Sequence, residues 1–183
     1  MTADIATPAE IVAFWLQAGP GKWFGKDNAF DADIRARFLP AHEAAMAGAL
    51  HGWEAAPESA LALLLLLDQF PRNIFRGTPR AFASDASARA VADRAIANGF
   101  DRAVAPHSRS FFYLPFMHSE ELADQERCVA LYIAAQNDDG LKWAREHADI
   151  IRRFGRFPHR NAVLGRATTA EEAAFLSGGG FSG

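Results

Sequence analysis

The chain has 183 residues, half of them hydrophobic and 22% charged, which is the composition of an ordinary globular domain. Its formal net charge of -3 argues against nucleic acid or an anionic membrane as a partner. The single cysteine, Cys128, excludes a disulfide within the chain and, with its apolar neighbours, predicts a buried packing residue. We therefore expect a soluble protein of the reducing cytoplasm.

No segment predicts export or a membrane span. Residues 1–6 have no basic start and no apolar run, so we expect no signal peptide. The leucine-rich run over residues 61–67 is far shorter than the roughly 20 residues that cross a bilayer, and it predicts a buried helix. We interpret residues 1–183 as a single helical domain with a flexible, glycine-rich tail over residues 177–183.

The first part of the chain predicts three helices. A capping box over residues 7–10, with proline at the first helical position, opens the first helix, and residues 19–21 end it. Hydrophobic residues at four-residue spacing mark the second helix, which we expect to bend or break at Pro40. The third helix begins near Pro57 and is expected to end before Pro71.

The next part of the chain predicts three more helices. Ser84 is expected to cap a helix that ends near Gly99. Pro106 starts a short aromatic helix, which Pro115 is expected to halt. Ser119 is then expected to cap the following helix.

The last two predicted helices complete the fold class. One runs from about residue 141 to residue 154 and is closed by Gly155, and a capping box over residues 168–171 opens the other. Alanine and leucine dominate, and no stretch alternates apolar and polar residues. The sequence therefore predicts an all-α fold of about eight helices in antiparallel pairs, as a bundle or a solenoid.

A first polar cluster follows the leucine-rich run. Asp68 and Gln69 come at the end of the buried helix, and Arg72, Asn73 and Arg76 follow within the next turns. Guanidinium groups match the oxygens of carboxylates and phosphates, so one reading is a cradle for an anion. The alternative is that Asp68 and the arginines pair with each other and hold the loop.

A second polar cluster surrounds the expected cap at Ser119. As an N-cap it would place Glu120 and Glu121 in the first helical turn, where the helix dipole favours acids, with Asp124 one turn further on. His118 lies just outside and can titrate near neutral pH, which suits a general acid or base. The alternative is a capping residue surrounded by solvated acids.

A third polar cluster closes the helix over residues 141–154. His147 shares the apolar face of that helix with Trp143, Ile150 and Phe154 and is expected to be a core histidine. Arg156 follows the helix end, where cations complement the dipole in any protein. His159, Arg160 and Asn161 follow a Phe-Pro turn and are harder to explain by local structure, so they favour a functional role.

Several specific chemistries lack their motifs. The chain has no pair of Glu-x-x-His motifs for a di-iron site, no clustered zinc ligands, no nucleotide-binding glycine loop and no Gly-x-Ser-x-Gly turn. We therefore expect no cofactor, and whether the protein is an enzyme stays open. A single metal ion held by His118, Glu121 and either His147 or His159 is an alternative with little support.

The polar clusters resemble a bacterial family catalogued as domain of unknown function 924. The phrases that carry the resemblance lie in residues 67–73, 114–120, 124–126 and 153–161, and the match extends over nearly the whole chain. The resemblance implies a tetratricopeptide-like, right-handed superhelix of paired helices. It implies no activity.

Our leading hypothesis is that the three clusters form one polar pocket for a small anion, a carboxylate or a phosphate. His118 or His159 would move protons if a reaction takes place there. The residues expected to bind the anion or orient its ligands are Asp68, Gln69, Arg72, Asn73, Arg76, Glu120, Asp124, Arg156, Arg160 and Asn161. The alternative is a helical-repeat scaffold whose concave face binds a peptide or protein. RNA binding through residues 145–166 is a third reading, which the negative net charge disfavours.

Overall fold

The computed structural model describes residues 5–181, and this part of the chain is all-α, with no strand. Most of the helical residues lie in eight helices of eight residues or more, and single turns form the rest. The helices are α1 (Pro8–Ala18), α2 (Pro20–Trp23), α3 (Asn28–Met46), α4 (Pro57–Leu64), α5 (Phe70–Ile74), α6 (Asp85–Ala97), α7 (Phe100–Ala103), α8 (Pro106–Met117), α9 (Leu122–Ala134), α10 (Asp138–Phe154) and α11 (Ala170–Ser177). The all-α prediction is confirmed.

The helices fall into two compact units. The first unit takes the chain up to Arg76 and resumes from Arg80 to Pro115, and the second takes Gly77–Pro79 and the chain from Phe116 onwards. The single domain over residues 1–183 and the flexibility of residues 177–183 stay predictions. Residues 1–4, which bear on the signal-peptide expectation, and residues 182–183 lie outside the described part. Between residues 5 and 181, no helix is long and apolar enough to cross a membrane.

The first unit is built around an aromatic core. Trp15 on α1, Phe38 on α3 and Phe70 on α5 are almost fully buried, with the ring centres of Phe38 and Phe70 5.0 Å apart. The predicted capping box that starts α1 is confirmed, since Glu10 accepts a hydrogen bond from the backbone N–H of Thr7 at 2.7 Å. Gly19, at φ 75°, ends α1 as predicted.

Of the two outcomes expected at Pro40, a bend or a break, the break does not occur. Helix α3 continues through this residue to Met46, and Ala41 and His42 directly after it are buried in the core. A proline removes one hydrogen bond from a helix interior, and burial of the residues around it offsets that loss. Asp27 starts the helix by accepting hydrogen bonds from the N–H groups of Ala29 and Phe30, both at 3.0 Å.

The predicted helix end before Pro71 is wrong. Helix α4 passes into α5 through a π-helical turn, Leu65–Gln69, in which the Phe70 N–H bonds five residues back to the Leu65 carbonyl. The wider turn accommodates Pro71, whose ring would clash with the carbonyl four residues back in a regular helix. The π turn also carries Asp68 and Gln69, so it positions the first polar cluster.

The π turn leaves the carbonyl of Leu66 without a backbone partner. Its donor in a regular helix would be Phe70, which bonds to Leu65 instead, and its donor in a π turn would be Pro71, which has no N–H. The Nδ1–H of the buried His42 fills this gap at 2.8 Å. Burial lowers the pKa of His42, which keeps the ring neutral.

Three further predictions of helix ends and caps are displaced by one or two residues. Helix α8 continues past Pro115 to Met117, and the N-cap of α9 is Glu121 rather than Ser119. Glu120 and Glu121 therefore precede the first turn of α9 and do not lie in it as predicted. Ser119 instead accepts a hydrogen bond from the Glu121 N–H at 3.2 Å. The last capping box joins Thr169 to Glu172, one residue later than predicted. Local sequence alone leaves shifts of one or two residues open, because neighbouring polar residues compete for the same N–H groups.

Other local predictions hold. Gly99, at φ 73°, follows α6, and Gly155, at φ 67°, closes α10. Ser84 occupies the N-cap position of α6 but makes no capping hydrogen bond with its side chain. Cys128 is buried, and burial raises the pKa of its thiol to about 12.

The second unit is organised by the pairing of α9 with α10. Asn137 starts α10 by accepting a hydrogen bond from the Gly140 N–H at 2.9 Å. The ring of Tyr132 on α9 lies so close to Gly140 that a Cβ there would come within 2.1 Å of it. Glycine at residue 140 is therefore required for the close approach of these two helices.

The π turn gives a testable prediction. Replacing His42 by leucine keeps most of the buried volume but removes the donor to the Leu66 carbonyl, and should lower the free energy of unfolding by about 1–3 kcal/mol. In a Pro71→Ala background the restored N–H can reach the same carbonyl, so the same replacement should cost about 1 kcal/mol less. Urea unfolding of the four proteins measures this difference. If His42→Leu lowers the free energy of unfolding equally in both backgrounds, the Leu66 carbonyl does not depend on His42 for its donor.

Candidate functional site

The arginine at the centre of the first polar cluster is held by two carboxylates. Arg72 donates to both oxygens of Asp85, at 3.0 and 3.2 Å, and its Nη1 lies 3.4 Å from Asp68 Oδ1. A further bond runs from Arg72 to the Asp68 carbonyl. Burial works against its charge, but Asp68 and Asp85 together raise the pKa of Arg72.

The rest of the first cluster is engaged in the same way. Arg76 donates to both oxygens of Asp31, at 2.6 and 2.9 Å, and Asn73 donates to the same carboxylate at 2.8 Å. Gln69 donates to Asp68 Oδ2 at 2.6 Å. Each predicted ligand residue of this cluster therefore has a partner within the first unit. The geometry favours the alternative in which these residues hold their own loop.

The second and third clusters meet in a clamp formed by Glu120 and Arg166. The two side chains share paired hydrogen bonds of 2.7 and 3.0 Å. Glu120 also accepts the Phe157 N–H at 2.8 Å, and Arg166 donates to the Phe157 carbonyl at 3.1 Å. Burial opposes ionisation of Glu120, but the hydrogen bonds from Arg166 and from the Phe157 N–H, together with the charges of Arg166 and Arg160, outweigh it, so the pKa of Glu120 is lowered. The Glu120–Arg166 clamp thus fixes both backbone groups of Phe157.

A second carboxylate, Glu172, extends this network. Arg156 donates to its two oxygens at 2.6 and 2.9 Å, and Asn161 donates to it at 3.2 Å. Asn161 also accepts from Arg166 at 3.0 Å, which links Glu172 to the clamp. Chiefly the hydrogen bond from Arg156 lowers the pKa of Glu172 to about 2. Arg156 and Asn161, two predicted ligand residues, therefore hold the loop between α10 and α11.

The two remaining predicted ligand residues of this unit have internal partners. Asp124 accepts a hydrogen bond from the Ser119 hydroxyl at 2.6 Å. The buried Arg160 donates to the His118 carbonyl at 2.9 Å, and its guanidinium lies 4.6 Å from the centre of the Phe157 ring. Arg160 thereby connects the segment before α9 with the turn after α10.

Four rings form a box behind the Glu120–Arg166 clamp. Phe157 packs against His147 and His159 with ring centres 5.5 and 5.6 Å apart, and Phe181 packs against the same two histidines at 4.5 and 5.2 Å. His147 donates its Nδ1–H to the Trp143 carbonyl at 2.8 Å. The Nδ1 of His159 is buried, and among residues 5–181 it has no hydrogen-bond partner. We call these four residues the aromatic box.

Both histidines of the aromatic box are held neutral. Burial lowers the pKa of His147 and of His159 to about 4, and the charge of Arg160 adds to the effect at both rings. His118 interacts electrostatically with both histidines, so the structure brings the two predicted catalytic residues, His118 and His159, into one neighbourhood. With a pKa of about 4, His147 and His159 are weak bases, and because they are unprotonated at neutral pH they are also poor proton donors.

An open cleft lies beside the aromatic box, between α10, α11 and the segment after α11. Its volume is about 680 Å³, within the range of ligand-binding clefts. The apolar residues that line it are Leu141, Ile150, Phe154, Phe175 and Phe181. The charged residues that line it are Asp138, Lys142, Arg145, Glu146, Asp149 and Arg153. Phe181 belongs to both the cleft and the aromatic box.

The cleft is a feature that the sequence analysis missed. Of its residues, the sequence predicted only that residues 150 and 154 share one apolar face of α10. Phe175 and Phe181 lie beyond the three polar clusters, and no local motif marks them. In the described chain, residues 5–181, no group of three or more histidines, cysteines and acids is arranged to hold a metal ion. The metal alternative therefore has no geometric support in that part.

The two histidines of the aromatic box predict how stability depends on pH. Their folded pKa of about 4 is below the ordinary value of 6.5, so between these values the unfolded chain binds protons that the folded chain does not. Their stabilising effect is therefore complete above pH 6.5 and is lost as the pH falls toward 4. The loss is up to about 1.4 kcal/mol per pH unit for each histidine.

Urea unfolding between about pH 7.5 and about pH 5 measures this slope. Replacing His147 by glutamine should reduce this slope, because one of the two buried neutral rings is removed. An unchanged slope in the His147 variant would contradict the assignment of a buried neutral ring.

Comparisons with known proteins agree with the resemblance seen in the sequence. A family profile described as bacterial protein of unknown function (DUF924) matches residues 11–180. A solved structure of a protein of unknown function from Agrobacterium tumefaciens is 53% identical in sequence, with a TM-score of 0.90. The similarity covers 93% of this chain and 97% of that one. No curated protein matches the chain.

Proposed function

The chain belongs to the bacterial DUF924 family, and we propose that it is a peptide-binding module whose site is the cleft between α10 and α11. The observation that carries this proposal is the chemistry of the cleft. Its apolar lining residues are buried or half-buried, and we call them the floor; its charged lining residues, of both signs, are exposed, and we call them the rim. Apolar side chains of a peptide would lie on the floor, and its backbone and charged groups would face the rim.

The floor offers the kind of surface on which side chains of a partner bind. Phe154 and Phe175 pack with their ring centres 5.1 Å apart, and Ile150 below them is 5% exposed. Aromatic residues in a partly enclosed cleft contribute large contact areas at small entropic cost. An apolar floor of this kind suits hydrophobic side chains better than a small inorganic anion.

The rim supports a peptide for a second reason. Arg153 and Asp149 on the rim are already paired, with Glu171 and Arg152 respectively. The other charged residues of the rim are Lys142, Arg145, Asp138 and Glu146, so the rim offers a ligand two cations and two anions. A peptide that carries both charges is complementary to such a rim.

The pairing of the arginines argues against an anion site at the polar clusters. Arg72, Arg76 and Arg156 each form paired bonds with a carboxylate. An anionic ligand would have to displace those carboxylates, and Asp85, Asp31 and Glu172 would then lose the arginines with which they pair. The peptide proposal requires no such exchange.

The proposal includes the superhelical arrangement of the helices and the location of the protein in the cell. The pairing of α9 with α10 supports a tetratricopeptide-like, right-handed superhelix of paired helices, in which such pairs repeat. A cytoplasmic location is supported by the single, buried Cys128, which needs no oxidising compartment.

A small anion is a second candidate ligand, favoured by His159. Its buried Nδ1 has no hydrogen-bond partner among residues 5–181, and the cationic Arg160 is its neighbour in sequence. In this reading a carboxylate or phosphate would accept a hydrogen bond from the His159 ring. Thermal unfolding with phosphate and with acetate tests it, since an Arg160→Ala variant should lose any stabilisation that the native protein shows.

Selection from a displayed library of random heptapeptides tests the peptide proposal. We expect enriched peptides to contain aromatic or large aliphatic residues and to bind about tenfold more weakly to a Phe175→Ala variant, in which the floor of the cleft is reduced. A Lys26→Glu variant, altered at an exposed residue of the first unit, should bind them like the native protein. Absence of enrichment, or equal binding to the Phe175 variant, would contradict the proposal.

A further inference from the structure

The side chain of Phe181 connects the cleft with the aromatic box. Its ring lies 4.5 Å from the His147 ring and 5.2 Å from the His159 ring, measured between centres. It also packs against the buried cluster of Ile150, Ile151 and Phe157 and lines the cleft. The chain thus places one of its own aromatic side chains in the lining of the cleft.

The segment that delivers Phe181 is weakly held. It consists of three glycines, and its backbone bonds are those of the Gly178 N–H to the Ala174 carbonyl and of the Gly180 N–H to the Phe175 carbonyl, both 3.0 Å. Among residues 5–181, no hydrogen bond or ion pair holds Phe181 itself. Three consecutive glycines lose more conformational entropy on ordering than other residues, which works against the contact that Phe181 makes.

The place that Phe181 occupies suits an aromatic ring in particular. Two neutral imidazoles and the ring of Phe157 surround it, so its walls are flat and uncharged. Such walls attract a ring in offset or edge-on geometry. The buried Nδ1 of His159 adds a polar atom to which a partner can bond.

We propose that this place is an aromatic subsite of the peptide cleft, that a ligand peptide fills it with a phenylalanine-like side chain, and that Phe181 is an intramolecular competitor for it. The inference rests on the proposed peptide-binding function. The observed ring of Phe181 between His147 and His159 stands in for the side chain of the ligand. Peptide binding then requires the segment 178–181 to leave.

Competition by Phe181 has a measurable consequence. When a site is open for only a fraction of the time, the apparent dissociation constant is raised by the inverse of that fraction. If Phe181 occupies the subsite about nine-tenths of the time, a Phe181→Ala variant binds an aromatic peptide about tenfold more tightly than the native protein. A Phe181→Leu variant, which keeps an apolar side chain, should give a smaller gain.

The experiment adds a short peptide of the chain's own sequence in trans. The probe is acetyl-Gly-Gly-Gly-Phe-amide, with acetyl-Gly-Gly-Gly-Ala-amide as the matched control, and the readout is the ring signals of His147 and His159 in NMR spectra. We expect the phenylalanine peptide to shift both sets of signals in the Phe181→Ala variant, less in the native protein, and the alanine peptide to shift neither. Unchanged chemical shifts elsewhere and a native circular-dichroism spectrum show that the variant is folded.

The outcomes separate this inference from the function on which it rests. If library peptides bind the native protein and the Phe181→Ala variant equally, or bind the variant more weakly, the competitor role is wrong while the cleft remains a peptide site. If the phenylalanine peptide leaves the His147 and His159 signals of the variant unmoved, the aromatic subsite is wrong. If no peptide from either source binds any variant, the proposed function and this inference are both wrong.

Discussion

The carboxylate of Glu120 holds the second unit together, because it satisfies a backbone group that the chain cannot satisfy locally. The N–H of Phe157 precedes a proline turn and would be unpaired without Glu120, which accepts it at 2.8 Å. Arg166 then pairs with the carboxylate and donates a hydrogen bond to the Phe157 carbonyl. With its backbone fixed in this way, Phe157 supplies the back of the aromatic box, on which both histidines and Phe181 pack.

The first unit also contains a backbone group that lacks a backbone partner, and a side chain bonds to it. There Pro71 leaves the Leu66 carbonyl without a donor, and His42 supplies one from the neighbouring helix α3. In both units an arginine that follows the Phe-Pro turn is paired within the unit. The conspicuous polar residues of this sequence thus have structural partners, and the surface that is left for a ligand is the less conspicuous cleft beside α10.

Features set by neighbouring residues could be predicted from the sequence, and features set by distant ones could not. The capping box at residues 7–10 and the glycine that closes α10 depend only on adjacent residues, and both were predicted correctly. The carboxylate partners lie far away, since Asp31 is 45 positions from Arg76 and Glu120 is 46 from Arg166. Spacing carries no signal for such pairs, so the sequence alone could not exclude an anion cradle in favour of internal pairs.

A double-mutant cycle on Glu120 and Arg166 tests most directly whether these polar residues serve the fold. Each is replaced by glutamine, singly and together, with Arg152→Gln as the control at an exposed ion pair. The account predicts that each single variant is destabilised, with a coupling of about 1–3 kcal/mol between the two sites, while the control changes by less than about 0.5 kcal/mol. A coupling near zero, or a single variant as stable as the native protein or more so, would mean that Arg166 is kept for a ligand, and would contradict the account.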